Sequence, residues 1–309
     1  MATLRRIGSA ILGSALFASG AMAANIVTVP QGGVGRWAGM AASECGIYGK
    51  RYAAVDAVCY YPVDLRAKPG IHEIALWDQS GKQHLGSLRV EKAEFPSVEM
   101  ELPAQLDRFI NPSPEEIKRS AAERADVVAI LGGSKDAAHF SLPLGKPAHT
   151  MPPSADDFGS ERLFNKKVKS LHSGRDYPVS VGSAVKAVAD GTVVLAADHF
   201  YAGNSVFVDH GDGLVSMSFH LSKIAVKTGD VVKRGQTLGK VGSTGRATGP
   251  HLHIGFRWLG KRIDPALLFV KPSALPSVSD THAQAEHKIE KAEKAEPAEE
   301  TEVPVDSED

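Results

Sequence analysis

The chain has 309 residues, 43% of them hydrophobic and 23% charged, a balance that suits a folded protein rather than a disordered or membrane-embedded one. Its length allows about two domains with cores of their own. A formal net charge of −1 supplies no basic excess of the kind that nucleic-acid binding draws on, so nucleic acid is not an expected partner.

Residues 1–23 read as an export signal. Arg5 and Arg6 form a charged start, Ile7 to Gly20 is an apolar, small-residue stretch, and Ala21-Met22-Ala23 is an A-x-A cleavage site. The stretch is too short and too rich in Gly and Ser for a membrane span, so the mature chain is expected to be exported, with no stable span after cleavage. The periplasm stands ahead of the extracellular medium as its destination. In that oxidising space the only two cysteines, Cys45 and Cys59, are expected to pair.

Residues 24–110 read as a small β domain. Tyr52–Val55, Ala57–Tyr61, Ile71–Trp77 and Leu85–Val90 are strand-like runs separated by turn signals such as Lys68-Pro69-Gly70. Residues 111–139 read as a helix and connector. Ser113 is the N-cap, Pro114 the first helical residue and Glu116 the closing member of a capping box, and Gly132-Gly133 ends the helix. A connector bearing Pro, Gly and Ser then runs to about Gly159. Residues 140–270 are dense in β-branched runs and glycine turns, which predicts an antiparallel all-β domain. Residues 271–309 are rich in Glu, Ala, Pro and Lys and read as a disordered acidic tail. That tail carries about −7 and the signal segment about +2, which leaves the folded part at about +4, a charge suited to an anionic surface such as a cell wall.

The stretch with the most chemistry is Thr248-Gly249-Pro250-His251-Leu252-His253-Ile254-Gly255-Phe256. Strand side chains alternate faces, so His251 and His253 leave the same side while Leu252 and Ile254 face a core. Upstream lies Leu171-His172-Ser173-Gly174-Arg175-Asp176-Tyr177, where Gly174 and Pro178 argue for a loop in which His172 and Asp176 converge through a turn. With one histidine of the later pair they offer two nitrogens and one carboxylate oxygen, a donor set that suits catalytic zinc and also, less well, iron(II). A further histidine, His220, ends another apolar strand. Two histidines beyond the metal's needs would be placed to move protons or hold a developing oxyanion.

The order His172-x-x-x-Asp176, then His220-Leu221, then Gly249-Pro250-His251-Leu252-His253 resembles the lysostaphin-type (LytM-like) zinc metallopeptidases that cut peptidoglycan cross-links. The likeness covers about residues 140–270, including Gly203-Asn204, Asp209-His210-Gly211 and Ile263-Asp264-Pro265. It implies a mainly β fold, with a C-terminal antiparallel, barrel-sandwich-like metallopeptidase domain preceded by a small β-sandwich-like domain and one helix. It also implies one Zn2+ per chain on His172, Asp176 and His253, with His220 and His251 catalytic. Asn165 and Asn204 are assigned as substrate contacts, and the substrate as the peptides of peptidoglycan. One departure concerns the strand before the third histidine, where family members often carry Tyr and this chain has Ser218 and Phe219.

Two other readings compete. A non-catalytic wall-binding or hydrolase-activating protein on the same fold would have lost ligands, and none is missing. The run Val226 to Leu238 resembles the hammerhead of biotin- and lipoyl-carrier domains, but no modifiable lysine sits at a suitable hairpin tip. The remaining histidines, His199 and His210 among them, are expected to be structural, and the oligomeric state is not legible. The segment Met151 to Asp157 is polar and Pro-rich enough to lie over the site as an inhibitory cover.

Overall fold

Short runs of Val, Ile, Leu and aromatic residues, broken by glycine and aspartate turns, make the chain β-rich from its first described residue. The computed structural model describes residues 25–134, 136–154 and 157–278; the expected signal segment 1–23 and most of the acidic tail lie outside them.

A five-stranded sheet comes first, in the order Ile26–Pro30, Gln83–Glu91, Gly70–Asp78, Ala42–Ile47, Lys50–Ala53, its first pair parallel and the rest antiparallel. A two-stranded ribbon, Val34–Trp37 with Cys59–Pro62, faces it. Between the two, Val27, Val29, Trp37, Tyr61, Leu76 and Leu88 are buried together. Cys45 on the larger sheet and Cys59 on the ribbon are joined in a disulfide with Cα atoms 5.4 Å apart, so the bond ties the two layers across the core. The expected strands at 52–55 and 57–61 are realised as Lys50–Ala53 and Cys59–Pro62. Between them Asp56 and Ala57 turn the chain with φ of 51° and 58°.

The helix spans Pro114–Ile130, and both halves of its capping box are made: the Glu116 amide donates to Ser113 Oγ, and the Ser113 amide donates to the Glu116 carboxylate. Val127, Ile130 and Leu131 pack on Phe207, Val215 and Met217 of the following domain. Arg119 reaches Asp198, and Glu123 accepts from the Phe200 amide, so the helix is pinned by polar contacts as well.

From Phe140 onward the chain builds an antiparallel sheet in the order Gly174–Tyr177, Leu252–Trp258, Leu214–Leu221, Gly203–Asp209, Gly191–His199, Val231–Val232, with Lys261–Ile263 pairing off Leu252–Trp258. A second sheet, Ala184–Lys186, Thr237–Lys240 and Lys223–Ile224, packs with it over Val185, Val206, Leu221, Leu238, Leu252 and Ile254. Neither sheet closes on itself, so the domain is a sandwich rather than a complete barrel. A third sheet couples the two halves of the chain, because Ser97–Met100 runs parallel to Glu161–Phe164, which pairs in turn with Val168–Leu171.

The connector is not a free linker. Phe140, Leu144 and Ala148 are buried in the C-terminal core, and Gly145 donates its amide to the Val188 carbonyl. The packed chain also continues past the boundary expected at residue 270. Leu275 and Val278 are buried, and the Arg36 amide donates to the Pro276 carbonyl, so apolar side chains within an otherwise polar segment hold it against the body.

The disulfide closes a loop with a sequence separation of 14 between two layers that share one small core. Replacing both Cys45 and Cys59 by Ala should therefore lower stability by about 3 kcal/mol, read as a shifted denaturation midpoint at constant slope. An unchanged midpoint would show that the core alone fixes the two layers.

Candidate metal centre

The strand Leu252–Trp258 is the axis of the site. Leu252, Ile254 and Phe256 are buried on its core face, and His253 projects from the other. Cross-strand neighbours on one face of an antiparallel pair lie side by side. The register sets Asp176 opposite His253 on one side and Phe219 opposite it on the other. The row Asp176, His253, Phe219 therefore crosses three strands, with the Phe219 ring stacked on the His253 ring at 5.0 Å and an interplanar angle of 4°.

The expectation that His172 and Asp176 meet through a loop needs correction. Gly174–Tyr177 is an edge strand, so Asp176 is fixed by sheet register, and His172 lies in the short connection from the preceding strand, Val168–Leu171. Gly174 is what permits this approach. A Cβ there would fall 2.4 Å from the Ile254 carbonyl oxygen and 2.5 Å from His253 Nε2. The glycine that reads as a loop signal is instead a requirement of close strand pairing beside a histidine ring.

Three ligand-type atoms converge. His172 Nε2 lies 3.1 Å from His253 Nδ1 and 3.3 Å from Asp176 Oδ1, and His253 Nδ1 lies 2.9 Å from Asp176 Oδ1. Two imidazole nitrogens and a carboxylate oxygen so close together repel one another unless a cation or a proton sits among them. A tetrahedral zinc site with ligands about 2.0 Å from the ion has edges of roughly 3.3 Å, so the triangle fits one face of such a site. These three are the cluster of His, Cys, Asp and Glu able to hold a metal ion among the described residues.

His172 is oriented from behind. Its Nδ1 lies 3.1 Å from the Asp157 carbonyl oxygen, 3.2 Å from the Asp157 carboxylate and 3.0 Å from an Arg162 amino group. The two oxygens only accept and Arg162 has carboxylates of its own to donate to, so the proton is assigned to Nδ1 and Nε2 faces the site. Arg162 donates to Asp157 Oδ2 at 2.6 Å and to Asp176 Oδ2 at 2.8 Å, tying the outer carboxylate to a ligand. Burial pushes the His172 imidazole down, but hydrogen bonds to Asp157 and Asp176 overcome it and raise the group to about 9. Burial works against ionisation of Asp176 too. There the hydrogen bonds and charges of His172 and His253 prevail and hold the carboxyl well below the usual carboxylate range. Neither Asp157 nor Arg162 carries a sequence signal: one ends an ordinary connector and the other sits in a plain strand. Asp157, the last residue of the segment considered as a cover, stands behind His172.

His220 and His251 complete the cluster, with ring centroids 4.9 Å apart. His220 occupies a bulge. Asn204 pairs with Leu221 and Val206 with Ser218, which leaves Phe219 and His220 together opposite Ser205. His220 takes φ of 61°, a left-handed conformation that costs a non-glycine residue energy, and this turns its ring toward the site. Its Nδ1–H donates to the Thr244 carbonyl at 2.8 Å, and His251 Nδ1–H donates to the Gly249 carbonyl at 2.8 Å. A carbonyl only accepts, so Nδ1 carries the proton in each ring and Nε2 is the acceptor of the neutral tautomer. Burial, then the charges of His253 and His251, push His220 down to about 3, so it is neutral near pH 7. His251 Nε2 lies 3.5 Å from Asp176 Oδ1, on the same side as His253, as the two-residue spacing predicts.

The other assignments fall elsewhere. Asn165 accepts from the Leu102 amide at 2.6 Å, and Asn204 donates to the Leu221 carbonyl at 3.0 Å; neither lines the cleft. His210 is buried between the Asp190 carbonyl and Ser216, and His199 is buried against Phe207. The cleft itself has a volume of about 180 Å³ and opens beside His172, His220 and His253, with Tyr201, Phe219 and Arg246 in its wall.

Comparison with known proteins agrees with this geometry. Residues 170–265 match the model of Peptidase family M23. The chain is 49% identical over 101 residues to the peptidoglycan DD-endopeptidase ShyA of Vibrio cholerae, an overlap of 32% of this chain and 23% of that protein. It is 38% identical over 113 residues to the DD-carboxypeptidase/endopeptidase Mpg of Neisseria meningitidis, covering 37% of this chain and 25% of that one. The chain thus spans about a quarter of the length of these curated relatives. A crystal structure described as a peptidase M23 from Pseudomonas aeruginosa superposes with a TM-score of 0.60 at 32% identity, over 78% of this chain and 94% of that chain.

Because Asp157 fixes the ring and proton of His172, Asp157→Ala should weaken zinc binding about 10- to 100-fold while the fold persists. Competition against a chromophoric chelator reads the affinity. An undiminished affinity would mean that the main-chain carbonyl of residue 157, which the substitution keeps, is enough to hold His172.

Proposed function

The chain belongs to peptidase family M23, and on that premise we propose that it is an exported zinc endopeptidase that hydrolyses the D,D peptide cross-links of peptidoglycan. The observation that carries this reading is a three-atom triangle able to hold a metal ion next to two imidazoles whose Nδ1–H groups are held by main-chain carbonyls. Relatives named as DD-endopeptidase and DD-carboxypeptidase/endopeptidase support the choice of bond, and the A-x-A segment supports export.

His172, Asp176 and His253 would hold the zinc. The ion, when bound, supplies a Lewis acid that polarises a peptide carbonyl and makes water a better nucleophile. The protein's own groups do the rest. His220 Nε2 or His251 Nε2 accepts the proton that the attacking water must lose. The Nδ1–H bonds to Thr244 and Gly249 hold both rings still while that happens. Once protonated at Nε2, the imidazole is a donor, able to steady the developing oxyanion and to return the proton to the departing amine. The neutral state of His220 near pH 7 is what this role requires. Phe219, stacked on His253, keeps water from one face of that ligand.

Digestion of purified cross-linked muropeptides, read by mass, tests the proposal. Monomers should appear, vanish with a zinc chelator and return with zinc. His220→Ala should cut the rate by at least about 100-fold while zinc stays bound. Stoichiometric zinc with no monomer released from any cross-linked muropeptide would overturn it.

A further inference from the structure

Arg246 lines the same cleft as His172, His220 and His253. Its guanidinium lies over the ring of Phe164 at 4.3 Å and over that of Tyr201 at 5.0 Å, and one amino group donates to Ser170 Oγ at 2.9 Å. Its backbone amide donates to the Tyr201 carbonyl, which fixes the base of the side chain. Its side-chain contacts among the described residues are Ser170 and these two rings, with no carboxylate, and burial pushes the guanidinium below its ordinary range. Arg162, by contrast, is already spent on Asp157 and Asp176.

A half-buried guanidinium with no acid partner costs free energy that its two ring neighbours only partly offset. Arg246 lines the cleft and gives Ser170 one N–H, which leaves the rest of its donor fork to the cleft. A planar donor fork held rigid by two rings loses little freedom on meeting a planar acceptor. These features describe a preformed carboxylate receptor.

We infer that Arg246 is the specificity residue of the cleft, taking the free carboxylate that a D,D cross-link carries beside the scissile bond; this rests on the endopeptidase reading given above. In such a cross-link D-alanine is joined to an amine whose own carbon bears a carboxylate. A glycine bridge has no carboxylate at that place. Arg246 therefore selects cross-links with the acid next to the departing amine and disfavours both glycine bridges and cross-links in which that acid is an amide.

The test uses the zinc-loaded protein and two cross-linked muropeptide dimers that differ only at this carboxylate, free in one and amidated in the other. kcat/KM is measured for both. Calorimetry measures binding of the released acceptor-side peptide in its acid and amide forms. The wild type should favour the acid over the amide by about 10- to 100-fold in each readout. Arg246→Gln should bring the ratio close to one by weakening the acid alone, and Arg246→Lys should fall between, since it keeps the charge and loses the fork. A wild-type ratio near one, or a ratio that survives in a folded Arg246→Gln, overturns the inference. If Arg246→Gln does not fold, as thermal melting would show, the wild-type ratio and Arg246→Lys decide. Cleavage of neither dimer would count against the endopeptidase reading, while the binding ratio would still settle the role of Arg246.

Discussion

Two nitrogen lone pairs and a carboxylate oxygen do not gather at one point unaided, because each repels the others until a cation or a proton joins them. The fold must hold them there by something stiffer than their own contacts. That stiffness comes from the hydrogen-bond ladder of Leu252–Trp258, where Asp176 and Phe219 are assigned to either side of His253 by register alone. Behind the ladder, Leu252, Ile254 and Phe256 are fully buried, so the strand cannot slide without moving its entire apolar face into water. The rigidity of the metal triangle is thus a property of the core, expressed on the opposite face.

The same economy governs the protons. His220 and His251 come from different strands, yet each is fixed through its Nδ1 by a main-chain carbonyl two or more residues away. Main-chain carbonyls do not titrate, so the tautomer of both rings is set by fold geometry and not by a second ionisable group. His172, one of the three residues proposed to hold the metal, is placed differently: the carboxylate of Asp157 backs its Nδ1, which strengthens its basicity.

Much of this was legible in the sequence where the signal is local. The two-residue spacing of His251 and His253 reports a shared face because strand periodicity is two, and the capping box of the helix is three residues long. What depends on pairing was not legible. Gly174 and Pro178 look like loop residues, yet the glycine serves an edge strand, and only the partner strand reveals why. The bulge at His220 exists only relative to Ser205. Asp157, Arg162 and Arg246 have no spacing relation to the ligands and are brought to them by tertiary contact. The first strands, Ile26–Pro30 and Val34–Trp37, are short and bracket a Gly-Gly turn, which leaves little periodicity to read.

The bulge bears on how such a protein could lose its activity. With two residues set against one, the strand Leu214–Leu221 places Phe219 and His220 toward neighbouring parts of one site, which a flat strand could not do. Loss of a single residue there would restore the even ladder and send one of the two side chains to the opposite face. The three ligands lie on other segments and would be untouched. A one-codon deletion could therefore yield a chain that still binds metal and still folds but has surrendered its proton carrier. In this architecture a complete ligand set and a working site are separable by the register of one strand.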